Sequence, residues 1–240
     1  MRLFLTLIVA VAGGFGGAAL WQFSGLGGQN TRDYLLAHPE VLPEAMDVLQ
    51  QRDMAARIEP LRDELEQPFP GAVLGNPQGT VTLVEFTDYA CSFCRQSLAD
   101  VEALIAANPN LRVVMREYPI LSEGSAQAAR MALAAAAQGK YEGFHNAMFA
   151  ADGPSPENIA AAARTAGVDL ARAQAAIARG DFEAQLQNNV FLAQSMGFTG
   201  TPSWIVGNNV LNGAVGRDEI AAAIAQAAGA NPADDGTGNS

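Results

Sequence analysis

The stretch TVTLVEFTDYACSFCR, residues 80–95, decides the fold. Its apolar run from Val81 to Phe86 is rich in β-branched and aromatic residues, which predicts a buried strand. The run is followed by Cys91-Ser92-Phe93-Cys94 and then by apolar residues at helical spacing. These are the only 2 cysteines in 240 residues, so they do not indicate a larger disulfide framework. Two thiols that can close and reopen a disulfide at a strand–helix junction predict redox chemistry.

The segments around this stretch predict an α/β domain. Residues 111–118 form the next strand candidate, which makes residues 80–118 a β-α-β unit with parallel strands. The following strand candidate, 203–206, comes so much later that we expect an α-helical insertion at about 120–197. Gly207-Asn208-Asn209 then predicts a hairpin, and a final helix is expected over 218–228.

The insertion is predicted to contain five helices. They are expected at residues 124–138, 140–150, 156–166, 170–178 and 182–196. Ser155, Asp169 and Asp181 are the predicted N-terminal caps of the last three. The alanine-rich stretches therefore indicate helices rather than low-complexity sequence.

The position of each cysteine predicts a different role. Cys91 lies at the start of the helix, where unpaired amide groups and the positive end of the helix dipole favour a thiolate, so we expect it to be the exposed nucleophile. Cys94 lies one turn further on and would attack the mixed disulfide to resolve it. A zinc site is the main alternative, but His38 and His145 are isolated and distant in sequence. A purely structural disulfide would close too short a loop to restrain the unfolded chain, and a Cu(I) site remains a further alternative.

Glu85 is the one charged residue in the predicted buried strand. Burial of a carboxylate is costly, so its pKa should be raised. Such a group could exchange a proton with Cys94 during resolution. The alternative is a solvated carboxylate with no role.

These features together resemble the DsbA family of thioredoxin-fold thiol–disulfide oxidoreductases. The resemblance is carried by strand–Cys91-Ser92-Phe93-Cys94–helix, the helical insertion, Gly200-Thr201-Pro202 before a hairpin, and the C-terminal helix. It covers about residues 70–228. The leader Asp33–Leu42 resembles a subgroup related to bacterial copper-tolerance proteins, some of which oligomerise.

The resemblance implies roles for particular residues. It implies an acidic group at Glu85 that shuttles a proton, and a cis peptide bond before Pro202 with peptide substrate pairing beside Thr201. Phe93 is expected to contribute to an apolar substrate rim, together with Tyr89 and, if it is not in the core, Phe86. The strongest oxidants of the family have a histidine between the cysteines, and Ser92-Phe93 departs from that pattern. We therefore expect a less stabilised Cys91 thiolate, which leaves the strength of oxidation open.

The N-terminus predicts export of the chain. From Leu3 to Phe23 no residue is charged, which is long enough for a membrane span of ~20 residues. Gly16-Gly17-Ala18-Ala19 offers a signal-cleavage site instead, whereas Leu20-Trp21 favours an uncleaved anchor. Arg2 favours a cytoplasmic N-terminus in either case. We expect an anchor or signal peptide at residues 1–24, a linker with N-terminal helices at 25–68, the thioredoxin-like domain at 69–228 and a disordered tail at 229–240.

The predicted linker and helices leave two arrangements open. Residues 25–30 contain three glycines and predict a short flexible link. An apolar helix face is expected at Val41, Leu42, Ala45, Val48 and Leu49, and Pro60 should break or kink its continuation. Residues 31–66 either pack on the main domain or associate with a second copy of the chain.

The sequence predicts a thioredoxin-like α/β fold with an inserted helical subdomain and an extracytoplasmic thiol–disulfide oxidoreductase without a cofactor or a bound metal. The alternatives are an oligomeric isomerase or reductase and a Cu(I)-binding protein. The expected partners are unfolded or partly folded exported proteins and a membrane redox partner that recycles the cysteines. A net charge of −11 with one lysine argues against nucleic acid. The expected location is the periplasmic face of a bacterial inner membrane.

Overall fold

The computed structural model describes residues 26–229. The predicted anchor at 1–24 and the predicted tail from residue 230 onward lie outside the described residues. Within residues 26–229, none of the helices combines the length and the apolar character that crossing a membrane requires. The chain forms two compact units, which divide between Arg52 and Asp53.

The first unit contains α1 (Leu26–Ala37) and most of α2 (Val41–Ile58). Helix α1 begins inside the predicted link, so that prediction is wrong from Leu26 onward. The cost of a glycine in a helix is only ~1 kcal/mol, which a continuing helix can absorb. In this unit six large apolar side chains are exposed: Tyr34, Leu36, Leu42, Met46, Val48 and Leu49.

The second unit begins with the end of α2. Helix α2 stops at Ile58, a 3-10 turn containing Pro60 covers Glu59–Leu61, and α3 covers Arg62–Glu66. Pro60 therefore interrupts the helix as predicted, because its ring cannot continue the hydrogen-bond ladder.

The core of the second unit is a five-stranded sheet with strand order β1-β3-β2-β4-β5. The strands are β1 (Val73–Gly75), β2 (Val81–Thr87), β3 (Leu111–Glu117), β4 (Ser203–Val206) and β5 (Asn209–Asn212). Strands β2 and β3 are parallel, as the β-α-β prediction requires, and the other three pairs are antiparallel. Strand β1 has three residues, too few for a period-2 pattern, and was not predicted.

Seven further helices surround the sheet. They are α4 (Ser92–Ala107), α5 (Glu123–Ala136), α6 (Tyr141–Ala150), α7 (Pro156–Thr165), α8 (Leu170–Ala178), α9 (Glu183–Ser195) and α10 (Arg217–Gly229). Helices α5 to α9 form the predicted insertion. Ser155 and Asp169 cap α7 and α8 as predicted, by accepting from the amides of Asn158 and Arg172. Asp181 does not cap α9, because that helix starts at Glu183 with Phe182 as its N-cap.

Alternate residues of the strands pack on opposite sides of the sheet. Leu83, Val113 and Trp204 belong to the larger core cluster, together with side chains of α4, α5, α6 and α10. Val84 and Phe86 belong to the smaller cluster, with side chains of α3 and α9. The cysteine segment therefore follows the end of β2 and lies at an edge of the sheet that the helices surround.

Candidate active site

Cys91 is the N-cap residue of α4. Its sulfur accepts a hydrogen bond from the amide of Cys94 at 3.4 Å, and its thiol donates to the Thr201 carbonyl at 3.1 Å. Both thiols are free, and Cys91 and Cys94 are 7% and 1% exposed. Cys91 is thus the more accessible sulfur but is more buried than expected, because the loop before β4 lies against it.

The Thr201–Pro202 peptide bond in this loop is cis, as the resemblance implied. The loop is held by two hydrogen bonds: Ser203 Oγ donates to the Gly200 carbonyl at 2.8 Å, and the Gly213 amide donates to the Pro202 carbonyl at 2.9 Å. Burial raises the pKa of the Cys94 thiol, and the Thr201 hydroxyl, which is buried without a hydrogen-bond partner, opposes this rise. Thr201 therefore faces both cysteines.

Glu85 is buried in β2, with 3% of its surface exposed. Burial raises its pKa to about 8, an effect that the hydroxyl of Thr87 opposes. Among residues 26–229 no ion pair reaches this carboxyl group. Burial raises the pKa of the Cys94 thiol, and the charge of Glu85 raises it further. The alternative of a solvated Glu85 is wrong.

A second buried carboxyl group, Glu117 at the end of β3, was not predicted. Its Oε1 accepts from the hydroxyls of Tyr141 at 2.7 Å and Tyr89 at 3.2 Å. The Tyr89 hydroxyl also lies 3.1 Å from Nδ1 of His145. Burial raises the pKa of Glu117 to about 8 and lowers that of His145 to about 3. Tyr89 thus belongs to this buried network, and its predicted place on the substrate rim is wrong.

Phe86 and Phe93 lie in different environments. Phe86 is fully buried against the rings of Tyr118 and Phe198, so it belongs to the core. Phe93 is 55% exposed on the first turn of α4, beside Cys94 in sequence. Of the three aromatic residues considered for the rim, Phe93 alone presents its ring to solvent.

The turn before Cys91 is joined to the loop after β3 by Asp88. Its Oδ1 accepts from the Ala90 amide at 2.8 Å, and its Oδ2 accepts from the amides of Ile120 and Leu121 at 2.9 and 3.0 Å. The side chains of Ile120 and Leu121 are exposed. Asp88 therefore fixes a second exposed apolar segment to the cysteine turn, and neither the cysteine motif nor the cis-proline motif predicts this segment.

The described residues contain no cluster of three or more His, Cys, Asp or Glu side chains arranged to hold a metal ion.

The thioredoxin family model matches residues 69–226, which is more than half of the chain. The chain belongs to the thioredoxin family. Residues 31–56 also match the family described as the N-terminal domain of the copper resistance protein ScsC. Both matches agree with the resemblances drawn from the cysteine segment and from the leader, and the expected DsbA-like fold is confirmed.

Two solved structures share this fold and part of the sequence. A thioredoxin-like oxidoreductase from Silicibacter pomeroyi is 42% identical, with a TM-score of 0.67, over 71% of this chain and 99% of that one. The thiol-disulfide exchange protein alpha-DsbA2 from Wolbachia pipientis is 26% identical, with a TM-score of 0.68, over 74% of this chain and 97% of that one.

One curated relative is named as an ion transporter. The Na(+)/H(+) antiporter NhaA 3 of Salinispora tropica is 26% identical over 178 residues, which are 73% of this chain and 26% of the antiporter. The chain thus spans about a quarter of the length of the curated relatives that it matches. The match supports a shared domain and carries no inference about ion transport.

Proposed function

We propose that this thioredoxin-family chain is a thiol–disulfide oxidoreductase that exchanges disulfides with exported proteins through Cys91 and Cys94. The observation that carries the proposal is the environment of the Cys91 sulfur. It accepts a hydrogen bond from the Cys94 amide and faces the Thr201 carbonyl. An amide donor at a helix N-terminus stabilises a thiolate, and a thiolate is the species that attacks a disulfide. The relative that is 42% identical and described as an oxidoreductase supports the same activity.

The reaction of the reduced chain proceeds in two exchanges. The Cys91 thiolate attacks one sulfur of a substrate disulfide, a mixed disulfide forms, and the other substrate sulfur leaves as a thiolate. Cys94 then loses its proton and attacks the Cys91 sulfur, which releases the second substrate sulfur. The substrate gains two electrons and two protons, and the Cys91–Cys94 disulfide forms. Oxidation of a substrate dithiol is the same sequence in reverse.

Glu85 is the proposed proton acceptor for Cys94. The Cys94 thiol is buried and its pKa is raised, so it needs a base nearby before it can attack. The hydroxyl of Thr87 is buried without a hydrogen-bond partner, and it opposes the rise that burial causes in the pKa of both the Glu85 carboxyl and the Cys94 thiol. This hydroxyl is the proposed relay for the proton between them.

Thr201, Pro202 and Phe93 are the proposed substrate-binding residues. The Thr201 carbonyl already accepts a hydrogen bond from Cys91, so a substrate strand laid along this loop would bring its own sulfur to the same place. Phe93 offers an exposed ring next to the cysteines. Apolar contact there suits unfolded segments of a substrate protein, which expose apolar side chains.

The function is tested by trapping the mixed disulfide. The reduced Cys94→Ala variant is mixed with a disulfide-linked dimer of a short cysteine peptide, the thiols are then blocked, and the products are weighed by mass spectrometry. We expect nearly every Cys94→Ala chain to carry one peptide on Cys91, because no second thiol can resolve the adduct, whereas the wild type becomes an internal disulfide. The Cys91→Ser/Cys94→Ala variant is the control and should carry none. An unmodified Cys94→Ala chain together with an inert wild type would overturn the proposal.

The direction of exchange depends on the reduction potential of the cysteine pair. A value near the strongly oxidising end, ~−120 mV, makes the chain an oxidase, and one near ~−270 mV makes it a reductant. Ser92 and Phe93 supply no charged donor to Cys91. The isomerase or reductase and the Cu(I)-binding alternatives are not favoured by the comparisons.

We also propose that residues 31–66 join copies of the chain. Val41, Ala45, Val48 and Leu49 line a shallow groove on α2, and the side chains of Val48 and Leu49 are exposed. Exposed apolar stripes of this kind favour association. The match of residues 31–56 to the ScsC N-terminal domain supports a shared use of this segment.

Analytical ultracentrifugation of the full chain tests this association. We expect the wild type to sediment as an oligomer and Leu49→Glu to sediment with the mass of a monomer, because the substitution places a charge within the apolar stripe. Gln50→Glu changes the charge at the exposed neighbouring position and should leave the oligomer intact. A wild type that is monomeric at all concentrations, or a Leu49→Glu variant that remains oligomeric, would contradict the proposal.

The proposed location is the periplasmic face of the inner membrane, where a disulfide persists. Residues 1–24 would provide the anchor or a cleaved signal. The proposed partners are unfolded or partly folded exported proteins and a membrane protein that resets the redox state of the cysteines.

A further inference from the structure

Glu85 and Glu117 lie on the same side of the sheet. In the parallel pairing of β2 and β3, Thr87 is opposite Glu117 and Glu85 is opposite Met115. Side chains alternate along a strand, so Glu85, Thr87 and Glu117 share the side on which Cys94 lies. Among residues 26–229 no ion pair reaches either carboxyl group. Two buried carboxyl groups thus lie on the side of the sheet that carries Cys94, and the proposed mechanism uses only that of Glu85.

The hydrogen bonds around Glu117 favour its charged form. Tyr89 has a single hydroxyl hydrogen and two possible acceptors, Oε1 of Glu117 and Nδ1 of His145. When Glu117 is ionised, both tyrosines donate to it, and His145 can donate its Nδ1 hydrogen to the Tyr89 oxygen. When Glu117 is protonated, its Oε2 has no acceptor, because that atom is buried without a partner. The network therefore opposes the effect of burial and makes it easier for Glu117 to lose its proton.

We propose that Glu117 is a positioning residue that controls the protonation of Glu85. As pH rises, Glu117 ionises first, and its negative charge then keeps the proton on Glu85 to higher pH. The proposal rests on the proposed function only in the last step, where Glu85 receives the proton of Cys94. Like charges in a buried site cannot both form easily, which is the reason that one carboxylate holds the other neutral. The two carboxyl groups interact, because the charge of Glu85 adds to burial in raising the pKa of Glu117. The order of ionisation follows from the two tyrosine hydroxyls that donate to Glu117 and stabilise its charged form.

The titratable groups that face Glu117 come from three elements. Glu85 lies on β2, Asp88 and Tyr89 lie in the turn after it, and Tyr141 and His145 lie on α6. Arg116 is the neighbour of Glu117 in sequence, but its guanidinium lies on the opposite side of the sheet, where it donates to carbonyls of α3 and the residue that follows α3. His145 is neutral above pH 6.5, since burial lowers its pKa to about 3. The charges near Glu117 are therefore negative, and none of these neighbours shields Glu85 from it.

The test is a carbon-13 NMR titration of the glutamate side-chain carboxyls in the full, reduced chain. Resonances of Glu85 and Glu117 are assigned by their loss in the Glu85→Gln and Glu117→Gln variants. In the wild type we expect Glu117 to titrate before Glu85 as pH rises. In Glu117→Gln we expect the Glu85 midpoint to fall by about half a pH unit or more, because a nearby buried charge is removed.

Tyr141→Phe separates this proposal from a loosened structure. Loss of one donor should raise the midpoint of Glu117 and lower that of Glu85, so the two move in opposite directions. Entry of water into a loosened site would instead lower both midpoints. Glu142→Gln, on an exposed position of the same helix, and Tyr34→Phe, on an exposed tyrosine, are the matched controls and should move neither midpoint.

Three results would overturn the proposal: an unchanged Glu85 midpoint in Glu117→Gln, a fall of both midpoints in Tyr141→Phe, or a wild type in which Glu85 ionises first. The last is measured on the wild type and needs only one folded variant for the assignment. Because the titration needs no substrate, its outcome is independent of the trapping experiment, and each proposal can fail without the other.

Discussion

Raising the pH from 6.5 to 8 is expected to lower the free energy of unfolding of the reduced chain by on the order of 3 kcal/mol. Burial raises the pKa values of Glu85 and Glu117 from 4.5 to about 8. Over this window both are ionised in the unfolded chain and largely protonated in the folded one, so the folded state binds up to two more protons. Stability therefore falls as pH rises, and the fall ends once both groups are ionised in the folded chain.

His145 reverses part of this trend at lower pH. Its pKa is lowered from 6.5 to about 3, so below pH 6.5 the unfolded chain binds a proton that the folded chain does not. Between pH 4.5 and 6.5 this proton offsets one of the two held by the glutamates. Below pH 4.5 the glutamates of the unfolded chain are protonated as well. His145 alone then acts, and stability decreases as the pH is lowered further. These three groups together place the stability maximum near pH 4.5.

Urea unfolding of wild type and Glu85→Gln at several pH values measures the effect. The variant should lose about half of the pH dependence between 6.5 and 8, whatever its absolute stability, because one of the two protons is gone. Glu102→Gln, an exposed glutamate on α4, is the matched control and should follow the wild type. A Glu85→Gln variant with the full wild-type slope would show that Glu85 is ionised in the folded chain at pH 6.5.

Glu85 could be predicted from the sequence because it interrupts an apolar strand. Its neighbours Val84 and Phe86 are buried on the other side of the sheet, so no register of the strand leaves Glu85 in water. The cysteine pair that follows this strand predicts a helix start at Cys91, and the helix begins at Ser92 with Cys91 as its N-cap. Where the pattern is unambiguous on both sides of a residue, its environment follows from the sequence.

Glu117 could not be predicted in this way. Strand β3 carries Arg112, Arg116 and Glu117, so its end has the polarity of an exposed strand terminus. The groups that make Glu117 a buried acid, Tyr89 and Tyr141, come from a turn and from a helix of the insertion, and only packing brings them together. The resemblance implied a substrate rim at Tyr89, and that prediction is wrong because Glu117 and His145, both distant in sequence, bury its hydroxyl.

Arg116 extends the same lesson to stability. It is fully buried, and burial lowers its pKa to about 10, so it remains charged at neutral pH. Its Nη2 donates to the carbonyls of Leu65 at 3.0 Å and Gln67 at 2.6 Å, and to that of Glu64. Its Nη1 donates to Asn189 of α9 at 3.2 Å. One side chain thus supplies hydrogen-bond donors to the carbonyls at the end of α3 and joins α3 to α9 on the same side of the sheet.

Arg116→Met is expected to lower the free energy of unfolding by on the order of 3–5 kcal/mol, because it leaves several buried acceptors without a donor. Methionine keeps the apolar stem, so the loss reports on the guanidinium rather than on volume. Arg57→Met removes an exposed guanidinium from the neighbouring helix α2 and should change stability by less than ~0.5 kcal/mol. Urea unfolding gives both values.

Hydrogen exchange shows where the Arg116→Met loss occurs. The amide of Gln67, which donates to the Asp63 carbonyl at 2.9 Å, closes the end of α3 and should lose protection first. The amide of Met115 lies on the other edge of β3, where it donates to the Ala72 carbonyl at 3.1 Å, and should keep most of its relative protection. Equal acceleration of both amides would mean that Arg116 supports the sheet as a whole, and unchanged stability would mean that water replaces the guanidinium at no cost. Selective loss of protection at the Gln67 amide would instead show that the buried Arg116 guanidinium holds α3 to the domain that carries the cysteines.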